Sequence, residues 1–128
     1  MCPCQKVFFV LGSLLGLVAF AAGAFGSHAL KMRLPLDYLN IYETAVRYQM
    51  YHAFILIGIA WASTVFSSPL IPLAGWLMLM GILIFSGSLY TLVLTDTRWW
   101  GAITPIGGVI LLIGWIFLVI GGMVSEIV

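Results

Sequence analysis

Long stretches without a charged residue are the feature that most constrains this chain. Residues 7–26 and 70–94 contain no Asp, Glu, Lys or Arg. A bilayer core about 30 Å thick requires about 20 helical residues, and each spanning helix satisfies its own backbone hydrogen bonds. Because 63% of all residues are hydrophobic and 7% are charged, a soluble fold could not bury this much apolar surface. We therefore expect an all-α membrane protein.

The apolar runs and the breaks between them predict four transmembrane helices in one domain over residues 1–128. The second apolar run, 53–66, is short for a span, so its helix must begin earlier, within a polar stretch. The predicted helices form an antiparallel bundle and lie at about 7–27, 42–66, 70–94 and 103–124.

The connections between the predicted helices differ in length. Ser67, Ser68 and Pro69 leave room only for a tight turn between the second and third helices. Residues 27–42 form the longest connection, whose mixed apolar and polar pattern suggests a short interfacial segment. Thr104, followed by proline, is typical of an N-cap at the start of the fourth helix.

Basic residues indicate the orientation. An even number of crossings places both termini on the same side of the membrane. Lys31, Arg33, Arg47 and Arg98 flank the first and third loops, whereas Lys6 lies with the termini. The positive-inside rule therefore predicts cytoplasmic loops and termini outside.

The N-terminal region allows other interpretations. Residues 6–26 resemble a secretory signal with small residues at Ala19 and Ala21, but the apolar run continues past that point, so we expect the segment to be retained. Cys2 and Cys4 precede the first apolar run. Two thiols make no disulfide framework, and a frayed terminus is favoured over a metal or modification site.

Small residues and overall charge indicate the partners. Helices in lipid associate through close packing, which small residues permit. A net charge of +1 without a basic block argues against nucleic acid. The expected partner is the lipid bilayer, with a homo-oligomer or a larger membrane complex also considered. The predicted packing residues are Gly12, Gly16, Gly107, Gly114 and Gly121.

The segment 43–52 contains most of the polar chemistry. Glu43 and Arg47 stand four residues apart, in the order that favours an ion pair on one helical face. Either this pair lies hydrated at headgroup depth, or the span draws it towards hydrocarbon, where such residues usually face a cavity or a partner. The candidate polar cluster comprises His28, Glu43, Arg47, Gln49, His52, Ser86, Ser88, Tyr90 and Thr104.

No catalytic residue, metal site or cofactor is predicted. His28 and His52 could approach each other near one membrane face, but a haem needs facing rings and zinc needs more ligands. A hydrogen-bonded structural histidine is favoured instead. The serine and threonine hydroxyls lack a Ser-His-Asp arrangement, and such side chains often bond their own helix.

Several motifs resemble those of a known family. The segments GAFGSHALK at 23–31, ETAVRYQMYHA at 43–53, FSGSLY at 85–90 and ITPIGG at 103–108, followed by Gly114 and Trp115, are similar to the YgdD/YwdK-like family. Ser27 stands where alanine is expected. The resemblance covers nearly the whole chain and implies four helices in a bacterial cytoplasmic membrane. It implies no activity, because the family is a domain of unknown function.

Three functions remain open from the sequence. The leading hypothesis is a non-enzymatic membrane protein that binds a lipid, a small molecule or a larger membrane complex. The first alternative is a small oligomeric transporter or proton-coupled carrier, with Glu43, Arg47 and His52 in a water-accessible cavity. The second is a membrane-face enzyme that uses His28 or His52 as an acid or base.

Overall fold

Four α-helices make up most of the computed structural model, which describes residues 4–127. They are α1, Cys4–Phe25; α2, Leu36–Val65; α3, Leu70–Thr95; and α4, Thr104–Val124. A π-helical turn, Gly26–Leu30, extends α1, and a short 3-10 helix, Arg98–Ala102, precedes α4. The connection predicted at 27–42 differs: the π turn and the early start of α2 reduce it to residues 31–35.

Three helical segments are long and apolar enough to cross a membrane, judged by length and composition: Cys4–Leu30, Leu70–Thr95 and Arg98–Val124. The helix α2 is 30 residues long, but polar side chains in its first half make it less apolar than the others. Because α2 packs along both α1 and α3, it lies at the same depth as they do. The predicted all-α membrane fold with four helices is confirmed.

Local chemistry explains where the helices start and stop. Pro35, with φ −56°, precedes α2, where its missing N–H costs no helical hydrogen bond. The Ser68 hydroxyl accepts a hydrogen bond of 3.2 Å from the Leu70 N–H at the start of α3. At the end of α3, Asp96 adopts the left-handed conformation with φ 52°, which Asp tolerates better than most residues.

Thr104 does not cap α4 as predicted. Ile103 occupies the position before the helix, and Thr104 is the first helical residue, followed by Pro105. The Thr104 hydroxyl lies 2.6 Å from the Ser88 hydroxyl on α3. Thr104 therefore links two helices, because its side chain has an interhelical partner.

Each helix packs mainly on the next one along the chain, so α2 and α3 are central and α1 and α4 lie outside. Phe8, Leu56, Met78 and Leu111 bring all four helices into one buried cluster. Most large apolar side chains on the outer faces of α1 and α4 are exposed, as expected for surfaces in contact with lipid.

Glycines on α4 lie against α3. A Cβ atom at Gly107 would stand 2.5 Å from the backbone nitrogen of Phe85, so the two helices meet backbone to backbone there. Gly114 and Gly121 also face α3, with hypothetical Cβ contacts of 3.3 and 2.9 Å. We call this interface the α3–α4 seam.

The two glycines predicted to pack on α1, Gly12 and Gly16, differ in how closely α2 approaches them. A Cβ at Gly12 would lie 2.9 Å from the Ala53 carbonyl oxygen, so α1 and α2 approach closely there. A Cβ at Gly16 would stand 3.7 Å from the Ala53 side chain, which is an ordinary contact. Close approach therefore requires glycine at position 12 more than at position 16.

Both described ends of the chain lie at one end of the bundle. The Gln5 side chain donates a hydrogen bond of 3.3 Å to the Ser63 carbonyl near the end of α2. The Ser67 N–H donates to the Glu126 carbonyl at 3.3 Å. Cys4 is a buried residue at the start of α1, in contrast to the frayed terminus predicted, and Cys2 lies outside the described residues. We call this the terminal end, and the end with residues 31–35 and 96–103 the loop end.

Candidate functional site

One group of the predicted polar residues joins helices inside the bundle. Gln49 is 4% exposed, and its side-chain N–H donates to the Leu15 carbonyl at 2.9 Å. The Tyr90 hydroxyl donates to the Gln49 side-chain oxygen at 2.8 Å. Gln49 thus connects α1, α2 and α3 through groups that would be costly to leave unpaired in a bilayer.

The buried hydroxyls and His52 also have partners within the protein. Ser86 donates to the Ala45 carbonyl at 2.8 Å. His52 Nδ1 lies 2.7 Å from the Tyr48 carbonyl, and His52 Nε2 accepts a hydrogen bond of 3.4 Å from Trp115. A neutral imidazole therefore satisfies both contacts, with Nδ1 as the donor and Nε2 as the acceptor. Between residues 4 and 127, no buried side-chain nitrogen or oxygen lacks a hydrogen-bond partner.

A second group lines an open groove between α1 and α2. Two adjoining cavities of about 480 and 260 Å³ share part of their lining. The larger cavity is lined mostly by apolar residues, and the smaller one is lined by both Glu43 and Arg47. We call the two together the groove; its lining residues are Ala19, Phe20, Gly23, Ala24, Gly26, Ser27, His28, Tyr42, Glu43, Val46, Arg47, Met50 and Tyr51.

The chemistry changes along the length of the groove. Ala19, Phe20 and Met50 form its apolar stretch, nearer the middle of the bundle. Towards the loop end, Arg47 and then Glu43 follow on α2. From position 19 to 28 the wall on α1 and the π turn rises roughly 13 Å at the α-helical rise per residue. All lining residues lie between positions 19 and 51, so no residue of α3 or α4 lines the groove.

The expected ion pair between Glu43 and Arg47 does not form. The Arg47 guanidinium instead donates to the Thr44 hydroxyl at 3.3 Å. Over residues 4–127 the Glu43 carboxylate makes no hydrogen bond or ion pair, and both charged side chains are exposed. The groove therefore contains two opposite charges, one helical turn apart, that do not pair with each other.

The predicted cluster thus separates into two places. His28, Glu43 and Arg47 line the groove, whereas Gln49, Ser86, Ser88, Tyr90, Thr104 and His52 lie at helix interfaces. His28 and His52 do not meet, because His52 faces Trp115 on α4 at a ring-centroid distance of 6.1 Å. Within the described part of the chain, no three His, Cys, Asp or Glu residues are grouped as metal ligands. His52 therefore does not share a cavity with Glu43 and Arg47, whereas His28 lines the same groove as both.

The loop end contains an ion pair that the sequence analysis missed. Arg98 donates to Asp37 at 2.8 Å, and its guanidinium lies 5.0 Å from the centroid of the Tyr38 ring. The Tyr38 hydroxyl donates to Asp96. Asp37 precedes the spanning part of α2, and the hydrogen bond from Arg98 lowers the pKa of its carboxyl group. These contacts connect the start of α2 with the connection between α3 and α4.

Two groove residues were also missed as site candidates. The Tyr42 hydroxyl donates to the Ala22 carbonyl at 2.6 Å, and a Cβ at Gly26 would lie 2.5 Å from the Tyr42 ring. This contact holds the π turn against α2. Ser27 lines both cavities, and its hydroxyl adds a polar group near Arg47. The sequence signal that could have identified Tyr42 was its spacing of four residues from Val46, which places both on one side of α2.

Comparison with known proteins agrees with the motifs quoted above. Residues 22–108 match the family described as "Protein of unknown function (DUF423)". This range contains all of α2 and α3 and every residue that lines the groove except Ala19 and Phe20. The chain belongs to this family.

Curated relatives are similar over nearly their full length. A UPF0382 membrane protein of Staphylococcus saprophyticus is 49% identical, over 91% of this chain and 97% of the relative. The UPF0382 membrane protein YwdK of Bacillus subtilis is 44% identical, over 93% of this chain and 98% of the relative. No solved structure matches. The predicted resemblance to the YwdK-like family and the identification as a membrane protein are confirmed.

Proposed function

We propose that this protein is a non-enzymatic membrane protein that binds one phospholipid in the groove between α1 and α2. The observation that carries the proposal is the union of an apolar stretch and a charged end in a single open groove. A phospholipid has the same division between acyl chain and headgroup. A bilayer lipid without such complementarity to the groove would not be retained there.

The contacts available suit this ligand. Phe20 and Met50 would lie against an acyl chain, since both line the apolar stretch. The Arg47 guanidinium would donate to the phosphate, a pairing that is stronger than a neutral hydrogen bond. His28 and Ser27 supply further donors nearby. Because the groove is open and is lined only by α1, the π turn and α2, a lipid would enter it sideways from the bilayer.

Filling the groove tests the proposal. Ala24 is exposed and lines the groove, whereas Ala21 is exposed on the same helix and does not line it. The protein is released from nanodiscs of mixed phospholipids, and retained lipid is measured by native mass spectrometry. We expect Ala24→Trp to lower lipid retention about tenfold, which corresponds to a steric cost of about 1.4 kcal/mol.

The matched variant Ala21→Trp controls for a bulky side chain on a lipid-facing helix. It should retain as much phospholipid as the original protein. Equal loss in both variants would assign the retained lipid to the general annulus, and a protein without retained phospholipid would overturn the proposal.

We also propose a bacterial cytoplasmic membrane with both termini outside. The bacterial relatives and the basic residues Lys31, Arg33 and Arg98 at the loop end support this orientation. Alkaline phosphatase fused to the C-terminus should be active, since it folds only outside the cytoplasm. An inactive fusion that is nevertheless expressed at full length would reverse the orientation.

A further inference from the structure

Two unpaired opposite charges occupy the narrow end of the groove. Glu43 and Arg47 both line the cavity of about 260 Å³, together with Ser27. Residues four apart on a helix can pair, and this order favours pairing. Arg47 nevertheless bonds Thr44, which leaves both charges facing the cavity. An exposed ion pair between Glu43 and Arg47 would contribute little to stability. A ligand can therefore bind both charges without a large loss of folding stability.

The order of the side chains along α2 gives a polarity to the groove. Met50 lies in the apolar stretch, Arg47 follows about one turn towards the loop end, and Glu43 follows one turn further. A zwitterionic phospholipid has the same order of parts: acyl chain, phosphate, and a terminal ammonium beyond it. Each part would therefore meet a side chain of complementary character.

We propose that the groove selects a phospholipid whose headgroup ends in a primary ammonium, with the phosphate at Arg47 and the ammonium at Glu43. This inference rests on the proposed function and names the class of lipid. The ammonium group donates hydrogen bonds as well as charge to the Glu43 carboxylate. The phosphate accepts from Arg47 and neutralises it.

Other common headgroups fit less well. A quaternary ammonium cannot donate a hydrogen bond to Glu43 and is usually held by several aromatic faces. In this cavity only Tyr42 is aromatic, it is 4% exposed, and its ring packs against Gly26. A headgroup of glycerol and phosphate has no positive charge for Glu43, so the carboxylate would stay unpaired beside a second negative group.

The test is a competition among headgroups in the intact protein. Nanodiscs contain equal amounts of phospholipids with identical acyl chains and ethanolamine, choline or glycerol headgroups. The retained lipid is identified by native mass spectrometry after release. We expect the ethanolamine lipid to be enriched in the original protein, and Glu43→Gln to reduce that enrichment about three- to fivefold while total phospholipid retention persists.

A matched control is the change Glu126→Gln, which removes an exposed carboxylate at the terminal end, outside the groove. It should leave the enrichment unchanged. Retained lipid that is sensitive to Ala24→Trp but shows no headgroup preference would overturn this inference alone. The same holds for a preference that Glu43→Gln does not alter. Absence of any groove-dependent lipid would instead overturn the proposed function.

Discussion

The α3–α4 seam and the groove between α1 and α2 are built from similar residues and have opposite properties. In the seam, glycine allows backbones to touch, and the Ser88 and Thr104 hydroxyls bond each other at 2.6 Å. In the groove, Ala19 and Gly23 face a cavity, and the Glu43 carboxylate has no partner in the described chain. Small residues therefore close one interface and leave the other open.

The difference shows how to separate structural from functional polar residues in a membrane bundle. Hydrocarbon offers no hydrogen bonds, so a polar group needed for the fold should be paired within the protein. Gln49 and His52 meet that condition, since their polar atoms have protein partners. Among residues 4–127 the side chains of Glu43 and His28 have no hydrogen-bond or ion-pair partner, and both line the groove. The groove is therefore the candidate for function, and the seam is the candidate for stability.

The largest expected effect is at the tightest point of the seam. The change Gly107→Ala adds a Cβ atom 2.5 Å from the Phe85 backbone nitrogen, and backbone cannot move aside as a flexible side chain can. We expect a loss of about 2–3 kcal/mol in the free energy of unfolding, as for overpacked cores. Reversible unfolding in bicelles would measure it.

The neighbouring residue supplies the control. A Cβ at Gly108 would meet its nearest side-chain atom at 3.8 Å, an ordinary contact. Both substitutions change helix propensity equally, so their difference isolates the close approach. If Gly107→Ala is no less stable than Gly108→Ala, the seam does not depend on backbone contact.

A smaller effect is expected where Gln49 joins three helices. The change Gln49→Leu leaves the Tyr90 hydroxyl and the Leu15 carbonyl without their side-chain partner. We expect a loss of about 1–2 kcal/mol in unfolding free energy, since an orphaned buried group is costly. The measurement is the same unfolding experiment, with lipid retention as a second readout that should not change.

A double-mutant cycle separates the two hydrogen bonds. The change Tyr90→Phe removes the orphaned hydroxyl, so the double variant should be more stable than the sum of the single losses predicts. Coupling energies between helices in membranes average about 0.6 kcal/mol. Strict additivity would mean that Tyr90 and Gln49 do not interact in the folded protein.

Much of the fold follows from the sequence because hydrocarbon imposes one rule on every span. The uncharged run at 70–94 predicts the helix found at Leu70–Thr95 almost to the residue. The start of α2 was harder to predict, because residues 36–42 mix apolar and polar side chains and do not resemble a membrane span. The π turn Gly26–Leu30 extends α1 where a loop was expected.

The candidate site was harder to predict because side-chain partners come from distant parts of the chain. The spacing of Glu43 and Arg47 correctly places both on one face, yet it cannot show that Arg47 would bond Thr44 instead. The partner of Asp37 is Arg98, which is 61 positions away. Spacing along one helix gives the face of a residue, and only the packing of the helices gives its partner.

The smallest expected effect is on the stability of the groove variant. If Glu43 has no structural role, Glu43→Gln should leave the free energy of unfolding unchanged within error in phospholipid-free detergent micelles. The matched change Asp37→Asn, on the same helix, breaks the exposed ion pair with Arg98 and should lower stability only slightly. Because the pKa of Asp37 is lowered by Arg98, this contribution is present above the ordinary pKa and is lost as the pH falls through the lowered one. A clear loss of stability in Glu43→Gln would make Glu43 a structural residue and remove the contrast between the groove and the seam.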